Sequence, residues 1–235
     1  MKLLLTPILR FAYRIRVEGL EHVPASGPAI LASNHISFCD SVFLPLMLRR
    51  RLTFVAKAEY FEDPKTAWFF RAMGQIPIKR GGGPASMRAL ESAAEVLKDG
   101  QLFGIYPEGT RSPDGRLYRG RTGVARLALE NKVPVLAVAM VGTREAQPIG
   151  QVRPNLFRPI TIRISPPLHF DHLDPDDRLA LRQATDQIMF ELCRLSGQTY
   201  VEQYCKRGAE AVLEPENTPV MSGPPLPALD QSVSA

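Results

Sequence analysis

The stretch Ala29–Leu48, AILASNHISFCDSVFLPLML, joins a short apolar run to an apolar helical pattern through a polar loop. The run Ala29–Ser33 has the length of a buried strand, and Ser41–Leu48 is typical of a helix packed on a core. Similar apolar runs, separated by segments of helical periodicity, recur at residues 52–56, 101–106, 133–142 and 160–165. This alternation predicts an α/β fold, a single domain with a central mixed, largely buried sheet flanked by helices.

The composition is that of a globular protein with one substantial core. The chain has 235 residues, of which 45% are hydrophobic and 23% are charged. Its three cysteines, Cys39, Cys193 and Cys205, are scattered and odd in number. This pattern predicts neither a disulfide scaffold nor a metal site, and it favours a reducing compartment.

The amino-terminal end is basic and amphipathic. The first 16 residues contain four basic residues and no acid. The apolar residues that would share one helical face are Leu4, Ile8, Phe11 and Ile15. Pro7 fits such a helix if the helix begins near Leu4. Proline lacks a backbone N–H, and the N–H groups of a helix's first turn have no hydrogen-bond acceptor within the helix. We predict that residues 1–16 form a basic amphipathic membrane-associating segment, with a helix packed on the domain as the alternative.

The remaining boundaries follow from composition. Residues 17–211 contain the strand and helix patterns and form the predicted folded domain, whereas residues 212–235 are rich in proline, serine and glycine and are predicted to be a disordered tail. Within the domain, the last long helix is predicted to start at Pro175 with Asp174 as its N-cap.

The polar loop contains His35 and Asp40, five positions apart. The same spacing separates His169 from Asp174 and His172 from Asp177, so the spacing alone is weak. We interpret these two later pairs as structural, because their carboxylates fall at the predicted start of a helix.

His35 differs from the other histidines in its context. It follows a predicted strand and precedes an apolar helix, which is where α/β folds build sites. A carboxylate that binds one imidazole nitrogen leaves the other nitrogen as a base. The chain has no G-x-S-x-G nucleophile motif, so the hydroxyl that this pair would activate belongs to a substrate.

Three further motifs follow His35 along the chain: GQIPIKR (74–80), YPEGTRS (106–112) and VPVLAVA (133–139). Arg80 and Arg111, with Lys79, offer charge and planar forks suited to a phosphate. Glu108 could bind a polar head group or hold Arg111. Lys57 is a weaker substrate-binding candidate. For any one of these basic residues, the alternative to substrate binding is that it is an ordinary solvated residue at the surface.

Together the four motifs resemble the successive blocks of the glycerolipid acyltransferase family, above all its bacterial 1-acylglycerol-3-phosphate acyltransferases, over residues 15–170. The resemblance implies that His35 is the general base and Asp40 its partner. It assigns to the acceptor-binding blocks Gly74, Arg80, Glu108, Gly109, Thr110 and Arg111, with Arg80 and Arg111 on the phosphate. Residues 133–139 would line the acyl side or position the acyl carbonyl, although Ala137 stands where the family often has a second proline.

The activity implied by the resemblance is transfer of a fatty acyl group from acyl-CoA or acyl carrier protein to lysophosphatidate, giving phosphatidic acid. We expect a peripheral protein at the cytoplasmic face of the cell membrane, with no metal or other cofactor. Alternatives are another acceptor (glycerol-3-phosphate, another lysophospholipid or a glycolipid) or a non-catalytic lipid-binding role. Nucleic acid is not an expected partner, because no known nucleic-acid-binding module accompanies the basic clusters 49–51 and 116–126.

Overall fold

A six-stranded sheet forms the centre of the computed structural model, which describes residues 2–78, 83–151 and 153–206. The ten strands in these residues are β1 (Arg16–Glu18), β2 (Ala29–Ser33), β3 (Leu52–Thr53), β4 (Val55–Lys57), β5 (Ile76–Ile78), β6 (Leu102–Ile105), β7 (Leu117–Tyr118), β8 (Val135–Val141), β9 (Thr161–Ile164) and β10 (Tyr200–Val201). The main sheet has the order β1-β9-β8-β2-β6-β3, and the pairs β4–β5 and β7–β10 form two small sheets.

Strand direction makes the main sheet mixed. Strands β8, β2, β6 and β3 are mutually parallel, whereas β9 pairs with β8 in the antiparallel sense and with β1 in the parallel sense. Helices cover both faces: α1 (Lys2–Tyr13), α2 (Asp40–Met47), α3 (Glu59–Glu62), α4 (Pro64–Ala72), α5 (Gly83–Lys98), α6 (Gly123–Asn131), α7 (Thr143–Ala146) and α8 (Arg178–Ser196). The predicted fold class is confirmed.

The central strand β2 shows why the sheet is buried on both sides. Ala29 and Leu31 point into the core that α1 and α2 cover, and Ile30 and Ala32 point into the core under α5, α6 and α8. All five residues of β2 are buried. A strand with two covered faces needs apolar residues at successive positions, which explains the continuous run AILA.

The first helix differs from its sequence prediction. It begins at Lys2, so Pro7 lies in the helix interior, where it cannot donate a hydrogen bond to the preceding turn. The helix ends at Tyr13, and its inward face includes Leu5, Leu9 and Ala12, whereas Ile8 and Phe11 of the predicted stripe are exposed and Ile15 lies buried beyond the helix end. Within the described residues, every helix is too short or too polar to cross a bilayer.

The last helix begins later than predicted. Asp177, not Asp174, is its N-cap, because the Asp177 side chain accepts a 2.8 Å hydrogen bond from the Leu179 backbone N–H. Asp174 instead accepts from the Asp176 N–H in a separate turn. The extended backbone of Asp177 (φ −79°, ψ 116°) separates that turn from the helix. The predicted tail, residues 212–235, lies outside the described residues.

Candidate active site

The candidate site lies at one edge of the main sheet, where the parallel strands β2, β6 and β8 end. Ala32 in β2 is paired with Ile105 in β6, so the residues that follow these two strands lie side by side. His35 follows β2 and Tyr106 follows β6. Strand order thus brings the NHISFCD loop against YPEGTRS, although about seventy residues separate them in sequence.

His35 and Asp40 form the hydrogen-bonded pair that the sequence predicts. The His35 Nδ1 atom lies 3.1 Å from Oδ2 of Asp40, which is fully buried at the start of α2. The same Oδ2 atom accepts hydrogen bonds of 2.8 Å from the N–H groups of Ile36 and Ser37. Because a carboxylate only accepts, this arrangement places a proton on Nδ1 and leaves Nε2 as the basic nitrogen.

Tyr106 fixes the plane of the His35 ring. The two rings stack with centroids 3.8 Å apart and planes 9° apart. Tyr106 stacks in turn on Phe54, and its hydroxyl lies 2.8 Å from Oγ of Ser41 in α2. Asp40 therefore sets the rotation of the imidazole within its plane, and Tyr106 sets the plane itself.

Residues of YPEGTRS hold the His35 backbone on both sides. The His35 N–H donates to Oε1 of Glu108 at 3.3 Å, and the His35 carbonyl accepts from the Ser112 N–H at 2.7 Å. Glu108 is 1% exposed, and its second oxygen accepts from the Tyr118 N–H at 2.9 Å. The carboxyl group of Glu108 thus links the His35 loop to β7 from within the protein.

Burial raises the pKa of Glu108 to about 8, despite the two backbone hydrogen bonds that favour its charged form. A carboxyl that holds its proton more tightly in the folded state stabilises the protein at low pH. That contribution is lost progressively as the pH rises from the unfolded value, near 4.5, through the folded value.

We therefore expect a pH-dependent difference in stability between the wild type and Glu108→Gln, which cannot titrate there. Relative to the variant, the wild-type free energy of unfolding should fall by up to about 1.4 kcal/mol per pH unit between roughly pH 5 and pH 8. Urea denaturation at several pH values measures this difference, in which the other titrating groups cancel. Parallel stability curves for the two proteins would contradict the raised pKa.

Asn34, for which the sequence analysis made no prediction, ties the end of β2 to the end of β8. Its side chain is fully buried, accepts from the Met140 N–H at 2.7 Å and donates to the Met140 carbonyl at 3.1 Å. It also donates to Oε1 of Gln198 at 2.7 Å. The sequence signal was a lone polar residue directly after a buried strand, which does not reveal a partner 106 residues away.

Ser37 and Cys39 connect the His35 loop to Gln147 and are not placed as nucleophiles. Ser37 is buried and donates to the Gln147 carbonyl, and the Cys39 thiol contacts Oε1 of Gln147 at 3.1 Å. Burial raises the pKa of Cys39 to about 11, so it stays a thiol at neutral pH.

The other predicted substrate-binding residues have different positions. Gly109 (φ +76°) lies in the turn after Glu108, where an added Cβ would come 3.2 Å from Nε of Arg121. Thr110 is buried and Arg111 is partly buried in the same loop. Gly74 (φ +68°) follows α4 and has a left-handed backbone, and a Cβ added there would displace the guanidinium of exposed Arg51. Lys57 ends β4, and Lys79 and Arg80 lie outside the described residues.

Residues 135–139 do not line an accessible surface. From Val135 to Ala139 every residue is fully buried, because these residues form a strand inside the sheet. These side chains therefore belong to the core of the sheet, and a role of this segment toward the acyl group stays a prediction. Ala137 replaces the expected proline for a visible reason, since its N–H donates to Oγ of Ser165 at 2.9 Å and proline has no such donor.

The two later histidines lie outside this constellation. His169 is exposed, and within the described part of the chain its Nδ1 has Asp171 as its ion-pair partner, with Oδ2 3.9 Å away. His172 is exposed as well, and Asp177 caps α8. These observations agree with the structural interpretation of both pairs.

Comparison with known proteins places this geometry in a family. The profile of the family described as Acyltransferase matches residues 14–141. The chain is 34% identical over 163 residues to the chloroplastic 1-acyl-sn-glycerol-3-phosphate acyltransferase of Arabidopsis thaliana, covering 69% of this chain and 46% of that protein. It is 29% identical over 194 residues to the 1-acyl-sn-glycerol-3-phosphate acyltransferase of Bacillus subtilis (strain 168), covering 79% of this chain and 91% of that protein.

A solved structure shares the fold. The crystal structure of the 1-acyl-sn-glycerophosphate (LPA) acyltransferase PlsC from Thermotoga maritima matches with a TM-score of 0.62 and 30% identity, over 79% of this chain and 73% of that one. The plant relatives are longer, and the chain spans about half the length of the first of them. These comparisons confirm the resemblance that the four motifs indicated.

Proposed function

The chain belongs to the acyltransferase family, and from this premise we propose that it transfers a fatty acyl group from acyl-CoA or acyl carrier protein to the free hydroxyl of 1-acylglycerol-3-phosphate, giving phosphatidic acid. The observation that carries the proposal is the orientation of His35. Its Nδ1 is bound to buried Asp40 and its ring is stacked on Tyr106, so its Nε2 is available as a base.

In the proposed reaction, His35 Nε2 takes the proton of the acceptor hydroxyl as that oxygen attacks the thioester carbonyl carbon. Asp40 stabilises the imidazolium that forms. The tetrahedral intermediate then collapses, the carbon–sulfur bond breaks, and the imidazolium gives its proton to the departing thiolate. The products are an ester and a free thiol, and every proton that leaves the acceptor is returned to the leaving group.

The roles of the remaining residues are part of the same proposal. Arg111 lies in the loop that holds His35 and is suited to bind the phosphate of the acceptor, together with Arg80. Glu108 is buried and bound to two backbone N–H groups, so we assign it the positioning of the His35 loop rather than contact with substrate. Lys57 and Lys79 stay candidates for substrate binding.

Arg111→Ala is expected to raise the KM for lysophosphatidate by about 10- to 100-fold with a smaller change in kcat, because a charge-assisted contact to phosphate is lost. Steady-state kinetics with the acceptor varied measures this split. The matched control is Arg194→Ala, which removes an exposed arginine that is paired with Glu191 on α8. An unchanged KM in Arg111→Ala would remove this residue from the phosphate site.

The family activity concerns a lipid acceptor, and we propose that the protein acts as a peripheral protein at the cytoplasmic face of the cell membrane. The support is α1, which packs on the domain through Leu5 and Leu9 while Phe11 stays 81% exposed and Arg10 and Arg14 face solvent. The membrane-associating interpretation and the packed-helix interpretation of this segment therefore both have support. The helix packs on the domain, and its outer surface still carries exposed apolar and basic side chains.

The activity is tested with purified protein and a panel of substrates. Acyl-CoA and acyl carrier protein thioesters are offered as donors, and lysophosphatidate, glycerol-3-phosphate, lysophosphatidylcholine and a glycolipid are offered as acceptors. Mass spectrometry of the lipid product should show phosphatidic acid from lysophosphatidate as the dominant product. Faster acylation of another acceptor would reassign the substrate, and no product from any acceptor would support a non-catalytic lipid-binding role.

A further inference from the structure

Four large apolar side chains are exposed on two segments that touch each other. Ile8 and Phe11 on α1 are 60% and 81% exposed, and Leu156 and Phe157 in a loop before β9 are 57% and 61% exposed. The Phe157 N–H donates to the Ala12 carbonyl at 2.8 Å. The segment 153–158, here called the 153–158 loop, is therefore fastened to the end of α1, and the two segments form one apolar surface.

The tip of the 153–158 loop has a strained backbone. Phe157 has φ +61°, in the left-handed region that glycine and asparagine occupy easily and bulky side chains rarely do. A strained, exposed phenylalanine at the tip of a turn is not explained by packing within the protein. Such an outlier indicates a function that needs this side chain at this position.

The two segments carry charges of one sign, and the neighbouring exposed Glu145 contacts Asn155 through its backbone carbonyl. Residues 10–16 and 153–158 contain five arginines and no acidic residue. These are Arg10, Arg14, Arg16, Arg153 and Arg158, and all five are exposed. An apolar centre with a basic rim complements a bilayer surface with anionic head groups, where each arginine near the surface adds to binding.

Topology places this surface at the catalytic edge of the sheet. Val141 at the end of β8 is paired with Thr161 at the start of β9, which is paired with Arg16 at the start of β1. The end of α1 and the 153–158 loop thus lie at the edge where β2 leads into His35.

Hydrogen bonds connect the 153–158 loop to the His35 loop. Asn155 donates from its N–H to the Ala146 carbonyl at 2.6 Å and accepts at its side-chain oxygen from Gln151. Gln147 donates to the Gln151 carbonyl and accepts at its own carbonyl from Ser37, two residues after His35. A continuous chain of contacts therefore runs from the exposed apolar tip to the catalytic loop.

We propose that the 153–158 loop is a second membrane-contacting segment, which with the outer face of α1 inserts into an anionic lipid surface and holds the His35 edge of the sheet against it. The proposal rests on the proposed function for its reason, because an acceptor that resides in the bilayer must reach His35 from the lipid side. It adds a segment and an orientation that the amino-terminal helix alone does not provide.

The test compares two double variants of the full chain in co-sedimentation with vesicles of equal parts phosphatidylglycerol and phosphatidylcholine. Leu156→Ser/Phe157→Ser removes the loop's apolar side chains. Leu179→Ser/Phe190→Ser removes residues of the same types, 79% and 58% exposed, from α8 on the opposite face of the sheet. The loop variant is expected to bind vesicles at least about tenfold more weakly than wild type, and the α8 variant to bind like wild type.

Activity measured on the same variants separates this inference from the proposed function. With a short-chain, water-soluble lysophosphatidate analogue and no vesicles, the loop variant should retain wild-type turnover within about twofold, whereas turnover of vesicle-borne lysophosphatidate should fall with binding. Equal vesicle binding by wild type and loop variant would overturn the inference while leaving the activity intact. The inference would also be overturned if both double variants lost vesicle binding to the same extent. The same holds if the wild type were a dimer that the loop substitutions made monomeric without changing vesicle binding.

Phe157→Gly distinguishes membrane contact from packing. Glycine tolerates the left-handed backbone, so this variant should keep or raise the thermal unfolding midpoint while vesicle binding weakens. A lower midpoint together with unchanged vesicle binding would make Phe157 a packing residue and contradict the proposal.

Discussion

Replacing His35 with alanine is expected to lower kcat by about 10³- to 10⁴-fold while the protein stays folded. The imidazole is the group that would accept the hydroxyl proton, and alanine has nothing to replace it. The fold should tolerate the change, because the His35 side chain is 14% exposed and the loop is held by backbone contacts to Glu108 and Ser112 that alanine preserves. Phosphatidic acid formation and the thermal unfolding midpoint are the two measurements.

The matched control for this prediction is His169→Ala, which removes an exposed histidine with the same sequence spacing to an aspartate. Its turnover should equal that of the wild type within about twofold, as for most surface substitutions away from a site. Wild-type turnover in His35→Ala would remove the general base from the mechanism. A loss of turnover that merely parallels unfolding would assign His35 a structural role instead.

Asn34→Ala is expected to reduce the free energy of unfolding by about 3 kcal/mol or more. The substitution leaves the N–H and the carbonyl of Met140 without their side-chain partner in a region that water does not reach, since Met140 is 1% exposed. Each buried polar group left unpaired costs about 1–3 kcal/mol. Turnover should fall as well, because Asn34 precedes His35 and fixes where β2 ends relative to β8.

Urea denaturation at one pH measures the stability loss, with Asn131→Ala as the matched control. Asn131 makes a single described hydrogen bond, from its side chain to the Leu127 carbonyl at the partly exposed end of α6. Its removal should cost about 1 kcal/mol or less. Equal losses for the two alanine variants would show that the Asn34 bridge between the strands does not carry the expected energy.

The local features of this site could be predicted because they depend on short stretches of chain. Residues 29–33 were predicted as a strand from a continuous apolar run, and β2 has these bounds. His35 and Asp40 meet because the loop between them is one turn, which Asp40 closes by accepting from Ile36 and Ser37. The helix boundaries were less predictable, since Asp174 and Asp177 are both plausible caps in sequence and only the backbone conformation selects one.

Amino-acid pattern alone determined the α/β class, the buried central strand, the His35–Asp40 contact and the family, because periodicity, turn chemistry and motif order are encoded within a few residues of one another. Tertiary structure decided that Glu108 supports the His35 loop from inside, that Asn34 bridges two strands, that residues 135–139 are core, and that the 153–158 loop lies beside α1. Each of these features depends on the strand order of a mixed sheet. That order brings together residues that lie 73 to 145 positions apart in the sequence, and no local pattern specifies such contacts.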